Sequence, residues 1–196
     1  MVIDGKTLIQ DGDLLVRLNT TPGSEYLKNF NRLDKKYSHA GIVLIENGHL
    51  SVYHIVNGEE NPDEKLKKDS LTGFCNPRKN SAYGIFRYDL SAKELAMLKH
   101  VIHQWYKQGI RFDSTFNLKT DKRMYCSEMI SKALTKATRG RIMIERTKPT
   151  ALEARFFSVY MRLPYSYTSN LEIVAIDNLY TNRHCKLVKE YNYETN

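Results

Sequence analysis

The sequence of 196 residues predicts one α+β domain, and three observations carry that prediction. Two β-prone runs flank the pair Asn47-Gly48, the mark of an antiparallel hairpin. Two later segments, beginning near Ser91 and Cys126, repeat apolar residues at helical spacing. No internal repeat, linker or low-complexity tract interrupts the chain, so residues 1–196 read as a single unit. That length buries a core without disulfide or metal staples.

The first strand is Asp13 to Leu18, entered through the turn residues Asp11-Gly12. Residues 19–36 are polar, with Thr21-Pro22-Gly23 marking a loop and a short helix after it. His39 to Ile45 and His49 to Val56 then form the hairpin, because a type I′ turn needs positive φ at both central residues and Asn-Gly supplies it. With Asn47-Gly48 as the loop, Glu46 faces His49, Gly41 faces His54 and His39 faces Val56. Opposed residues share a sheet face, which makes His39 and His54 diagonal neighbours about 7–8 Å apart between Cα atoms. Gly41 leaves room for the His54 ring to lean toward His39.

Residues 57–82 are a polar excursion punctuated by Asn61-Pro62 and Asn76-Pro77, with a helical turn at Asp63 to Leu71. Gly84 to Tyr88 is another strand. Ser91 and Glu94 form a capping box, Leu95, Leu98, Ile102 and Trp105 a helical stripe, and Gly109 the stop. His100 and His103 project from that helix toward solvent. A loop-like stretch, 111–124, leads to a second helix from Cys126, with Ile130, Ala133, Leu134 and Ala137 as its apolar face and Gly140 at its end. Ala151 to Tyr160 follows Pro149 as a short helix. Leu171 to Ile176 and His184 to Val188 read as late strands that form a closing hairpin.

Composition excludes several classes. Hydrophobic residues are 41% and charged residues 27% of the chain, ordinary for a globular protein. No apolar run approaches the length of a membrane span. Met1-Val2-Ile3-Asp4-Gly5-Lys6 lacks the pattern of a secretion signal, so the expected compartment is the cytoplasm as the sequence stands, or outside it if a leader was trimmed. Cys75, Cys126 and Cys185 are odd in number and lack CxxC spacing, which suits free thiols better than a disulfide framework or a zinc site. The net charge of +8 and pI near 9.3 favour anionic surfaces. Yet the densest basic cluster, Lys65-Leu66-Lys67-Lys68, is offset by Glu59, Glu60, Asp63, Glu64 and Asp69. No nucleic-acid motif accompanies it, so a solvated basic face is expected and no nucleic-acid partner.

One pair of segments carries chemistry. Cys126 stands where a loop turns into a helix, and unpaired N–H groups with the helix dipole favour a thiolate there. His39 can take the thiol proton, giving the ion pair of cysteine hydrolases. A third polar group must then hold the imidazole in one tautomer, and the hairpin nominates His54. The Cys126 backbone N–H would face the oxyanion. The alternative is structural, since a buried cysteine often packs as a small hydrophobe and a strand histidine is often merely satisfied. Cys75 and Cys185 take that reading. A metal site from His39, His49 and His54 is disfavoured because His49 faces away from His54; no cofactor and no metal are expected.

Gly12-Asp13-Leu14-Leu15, Ser38-His39-Ala40-Gly41-Ile42-Val43, Val52-Tyr53-His54, and Phe112-Asp113 through Tyr125-Cys126-Ser127-Glu128 occur in that order. Together, over roughly residues 11–160, they resemble the circularly permuted papain-like cysteine hydrolases of the YiiX/YaeF group, relatives of the NlpC-type cell-wall peptidases. The resemblance implies a papain-like α+β fold with a small antiparallel β-barrel or curved sheet packed against helices. It places the nucleophile at Cys126, the base at His39 and the variable third polar residue at His54. Ser38, Tyr125 and Glu128 match supporting positions that shape the site. The lipid-acting branch carries Asn-Cys-Glu-His-Phe where this chain has Tyr-Cys-Ser-Glu-Met. The implied substrate is therefore a peptide or small amide, a cell-wall peptide among them. The alternatives are a lipid-directed thiol acyltransferase or thioesterase, and an inactive binding protein.

Overall fold

The computed structural model describes residues 6–193 apart from 22, 23, 25, 26, 59 and 60. Met1 to Gly5, the Pro22-Gly23 turn and the acidic pair Glu59-Glu60 lie outside the described residues. Strand β1 (Leu14–Asn19) pairs with β2 (His39–Glu46), which turns back into β3 (His49–His54). Glu46 opposes His49 and Val43 opposes Val52, the register expected from the turn. Asn47 and Gly48 both take positive φ, 50° and 77°. The short strand β4 (Lys67–Asp69) adds to β3, while β5 (Asn80–Tyr88) pairs with the far side of β1. The two-residue strands β6 (Arg111–Phe112) and β7 (Arg123–Met124) pair in parallel, and β8 (Cys185–Asn192) joins β5. The six-stranded antiparallel sheet runs β4-β3-β2-β1-β5-β8. It stays open as a sheet rather than closing into a barrel.

Both faces of the sheet centre are covered, which explains why β1 and β2 read as nearly continuous apolar runs. Leu14, Val16, Ile42 and Leu44 pack against helices α2 (Ala92–Gln108) and α3 (Cys126–Ala137) through Leu98, Ile102, Ile130 and Leu134. Leu15, Val43, Val52 and Ile85 meet Phe74 and Tyr83 on the other face. Phe74 comes from α1 (Leu71–Phe74), a short turn capped by Ser70, whose Oγ accepts the Gly73 N–H at 3.1 Å. The α2 capping box and its left-handed stop at Gly109 are both present. Helices α4 (Ala151–Tyr160), α5 (Tyr165–Thr168) and α6 (Ile176–Tyr180) follow, and no described helix is long and apolar enough to cross a membrane.

Three expected elements differ. The helical turn at 63–71 is largely the edge strand β4, since β3 offers unpaired backbone groups that Lys67 to Asp69 satisfy. Leu171 to Ile176 is not a strand: it makes one isolated bridge, Thr147 to Ile173, and its backbone is met by side chains instead. The segment His184 to Val188 does pair, but as part of β8 on β5 at the sheet edge, with Leu187 opposite Phe86. His103 is half-buried rather than turned to solvent, with Nε2 2.8 Å from the Glu46 carboxylate, whereas His100 is exposed.

Gly41 on β2 faces side chains of β3 and Phe74 at close range. A Cβ there would lie 2.7 Å from Val52 Cγ1 and 3.2 Å from both His54 Cβ and Phe74 Cε2. Gly41→Ala is therefore expected to destabilise the fold by about 1–3 kcal/mol through overpacking, read as a lower urea midpoint at unchanged slope.

Candidate active site

Three adjacent strands each contribute a polar side chain from one end. His39 opens β2, His54 closes β3 and Asp69 closes β4. His39 Nε2 lies 2.9 Å from His54 Nδ1, and His54 Nε2 lies 3.0 Å from Asp69 Oδ2. Lys67 Nζ approaches the same carboxylate at 3.1 Å. Phe74 covers both rings, at 5.7 Å and 5.0 Å between centroids. The Arg17 guanidinium lies 4.7 Å over Phe74 and donates through Nη1 to its carbonyl at 3.1 Å.

Burial and neighbouring charge fix the protonation of this chain of groups. Burial first, then Arg17, His54 and Lys67, pushes His39 well below the ordinary imidazole value. Burial also lowers His54, against the opposing pull of Asp69. For Asp69 burial acts upward, but the bonds and charges of His54 and Lys67 outweigh it and hold the carboxyl at about 2. An ionised carboxylate only accepts, so His54 Nε2 carries the hydrogen. A neutral His54 then offers a lone pair at Nδ1, and His39 donates to it from Nε2. The His39 lone pair is left at Nδ1. One acid thus sets the tautomer of two rings in series.

Cys126 begins α3, held by the residues on either side of it. Tyr125 Oη accepts the Val174 N–H at 2.8 Å, and the Ser127 hydroxyl donates to the Val174 carbonyl at 2.6 Å. Glu128 is fully buried and accepts the Tyr125 N–H at 3.2 Å through Oε2, with Lys132 Nζ 2.9 Å from Oε1. Burial pushes the Glu128 carboxyl up to about 7 despite Lys132. Asp113 shapes the approach to this helix by accepting from Thr115 N–H at 2.8 Å and Asn117 N–H at 2.7 Å.

The sulfur does not follow the dipole expectation. Backbone N–H groups of Ala40, Ser127 and Cys126 favour its thiolate, but burial outweighs them and raises the thiol above its ordinary value. Burial thus acts on both groups against an ion pair, lowering His39 and raising Cys126. His39, Cys126, Ser38, Tyr125 and Ser127 line one cavity of about 280 Å³. Ser38 Oγ is buried there without a hydrogen-bond partner among the described residues. His54 stands behind His39, and Glu128 behind the helix start. Asp69 is the site residue that sequence reasoning misses, because in the sequence it stands only as an acid offsetting nearby lysines. Its one signal is its place on a short strand beside β3, masked by the run Lys67-Lys68-Asp69.

Residues 8–176 match the family described as permuted papain-like amidase enzyme, YaeF/YiiX, C92 family. The fold is similar to that of YiiX from Escherichia coli O157:H7, at 18% identity and a TM-score of 0.75, covering 94% of this chain and 98% of that one. That protein is described as a metalloprotein. Among the described residues of this chain, no three His, Cys, Asp or Glu side chains converge as a metal ion would require. No curated protein matches the chain.

Alkylation of Cys126 by iodoacetamide, followed by mass spectrometry across pH, is expected to rise with a midpoint above the ordinary thiol range. A midpoint below neutrality would instead reveal a thiolate at rest.

Proposed function

The chain belongs to the permuted papain-like amidase family of the YaeF/YiiX type, and from that premise we propose that residues 1–196 act as one cysteine amidase domain with Cys126 as nucleophile, His39 as base and His54 as the group that orients it. The observation that carries this reading is the tautomer chain from Asp69, which leaves the lone pair of His39 at Nδ1, on a residue that lines the same cavity as Cys126. Tyr125, Glu128 and Ser38 support the site: the first two fix the helix start, and the third borders the cavity.

The reaction on a peptide or small amide runs through a thioester. The Cys126 sulfur bonds to the carbonyl carbon as its proton moves to His39 Nδ1, and the oxyanion accepts from the Cys126 backbone N–H. The C–N bond then breaks and His39 returns the proton to the leaving amine. Water attacks the thioester, giving its proton to His39. The C–S bond breaks, the acid departs and the thiol regains its proton. Because burial raises the thiol and lowers the imidazole, this reading has proton transfer accompany attack instead of preceding it.

Cys126→Ala is expected to abolish turnover and labelling by an electrophilic thiol probe, with an unchanged melting temperature; equal labelling of the variant would overturn the assignment. Asp69→Asn replaces an acceptor by an amide that can donate to His54 Nε2 and reverse both tautomers. In a Ser-His-Asp triad the corresponding change lowers kcat about 10⁴-fold, and with one more ring between acid and base we expect a loss of at least about 10-fold. Steady-state kinetics on the folded variant measure it.

A further inference from the structure

Apolar side chains form one part of the wall of the cavity beside Cys126, and the uncharged polar residues Asn19, Thr21, Ser24 and Asn57 form another. Leu27, Phe30, Ile55, Phe116, Phe157 and Ile173 contribute to the apolar part. Phe30 and Phe157 stack at 4.2 Å, and Phe116 meets Phe157 at 5.4 Å, giving a packed aromatic floor. Charged residues make up 27% of the chain, yet among the described residues no Asp, Glu, Lys or Arg lines this cavity. An anionic acyl group placed there would lose its hydration and gain no cationic partner. An apolar one would lose only its contact with water.

Two further features define what fits. Ser38, whose buried Oγ has no hydrogen-bond partner among the described residues, lies in the same wall as His39 and Cys126. A buried hydroxyl left unpaired is unfavourable, and a turn of the Ser38 side chain toward the cavity would pair it with a substrate amide next to the reacting carbon. The volume sets the length. An apolar cavity of about 150 Å³ takes a benzene ring, so about 280 Å³ takes roughly ten to twelve non-hydrogen atoms.

We propose that the substrate's acyl group is apolar and uncharged, about ten to twelve non-hydrogen atoms in size, and occupies this cavity with its carbonyl carbon at Cys126 and its amide against Ser38. This rests on the amidase reading and narrows it to the acyl half of the substrate. The acyl group passes from the amide nitrogen to sulfur and then to water, by the bond changes given above.

The test uses the full chain with four p-nitroanilides: acetyl, decanoyl, 3-phenylpropanoyl, and the sebacoyl monoanilide, which matches decanoyl in length but ends in a carboxylate. Nitroaniline release gives kcat/KM, and intact mass reports acyl-Cys126. We expect decanoyl or 3-phenylpropanoyl to exceed both acetyl and sebacoyl by at least about 100-fold, the larger of the two telling chain from aryl. Ser38→Ala should lower kcat/KM for the preferred anilide at least about five-fold; no change removes Ser38 from the proposal. Acetyl or sebacoyl turnover equal to decanoyl, with Cys126 acylated, overturns the apolar-acyl inference while the amidase reading stands. No turnover of any anilide and no acyl-Cys126 overturns both.

Discussion

A β-strand sends successive side chains to opposite faces, so a slip of one residue between β2 and β3 would put His39 and His54 on opposite sides of the sheet. The two-residue turn prevents that slip. Asn47 and Gly48, both at positive φ, impose the twist that matches the paired strands and admit no other register without a longer loop. The other parts of the histidine array follow from this pairing. Gly41 opposite His54 opens the space in which the two rings meet, and β4 can dock only on the outer edge of β3, which brings Asp69 behind His54. The turn lies far from the cavity, at the other end of the hairpin, yet it decides whether His39 and His54 meet there at all.

The electrostatics of the array run in one direction. Buried imidazoles are costly when charged, so both are held neutral, and the one formal negative charge sits at the outer end where Lys67 and solvent can reach it. The arrangement links folding to pH with a consistent sign. His39 and His54 bind protons more weakly folded than unfolded, so their contribution is full above the unfolded imidazole value of about 6.5 and declines as pH falls below it. Asp69 is also depressed, and its contribution is present above the ordinary carboxylate value and lost as pH falls through about 2. Acid therefore works against the array from both ends. The same burial that lowers the imidazoles raises the Cys126 thiol.

What can be read from the sequence is whatever rests on local pattern. The Asn-Gly turn sets the His39–His54 relation, Ser91 and Glu94 set the start of α2, and the stripe after Cys126 sets α3. Asp69 is hidden because a three-residue strand of Lys-Lys-Asp has the composition of a solvated helix turn; only the free edge of β3 makes it a strand. Leu171 to Ile176 has the apolar content of a strand, but a strand needs a backbone partner, and here Tyr125 and Ser127 side chains take that place at Val174. The state of the thiol escapes the sequence for a related reason. A helix start is visible there, whereas the burial that opposes it depends on what folds over the cysteine.

That late segment explains why the two halves of the site stay together. At Val174 it is clamped by the residues flanking Cys126. Three residues on, Asp177 Oδ2 accepts the backbone N–H groups of Arg32, Leu33 and Asp34 at 2.6, 2.7 and 3.3 Å. Asn31 completes the anchor, accepting the Asp177 N–H at 3.3 Å through Oδ1 and donating to the Tyr37 carbonyl at 2.9 Å. Tyr37 leads directly into Ser38 and His39. One short stretch of chain, running from an irregular segment at Val174 into the first turn of α6, is thus bonded to the head of the Cys126 helix and to the approach of the His39 strand. At Val174 the backbone N–H and C=O are not spent on a sheet ladder and meet the side chains of Tyr125 and Ser127, while at Asp177 the first helical turn leaves the N–H free for Asn31. In a permuted order, where His39 precedes Cys126 by 87 positions, such a brace sets the position of these two residues relative to each other, while Ile173 and Val174 on the same stretch line the cavity. The placement of His39 and Cys126 and the shape of the cavity they line are therefore properties of the same few residues.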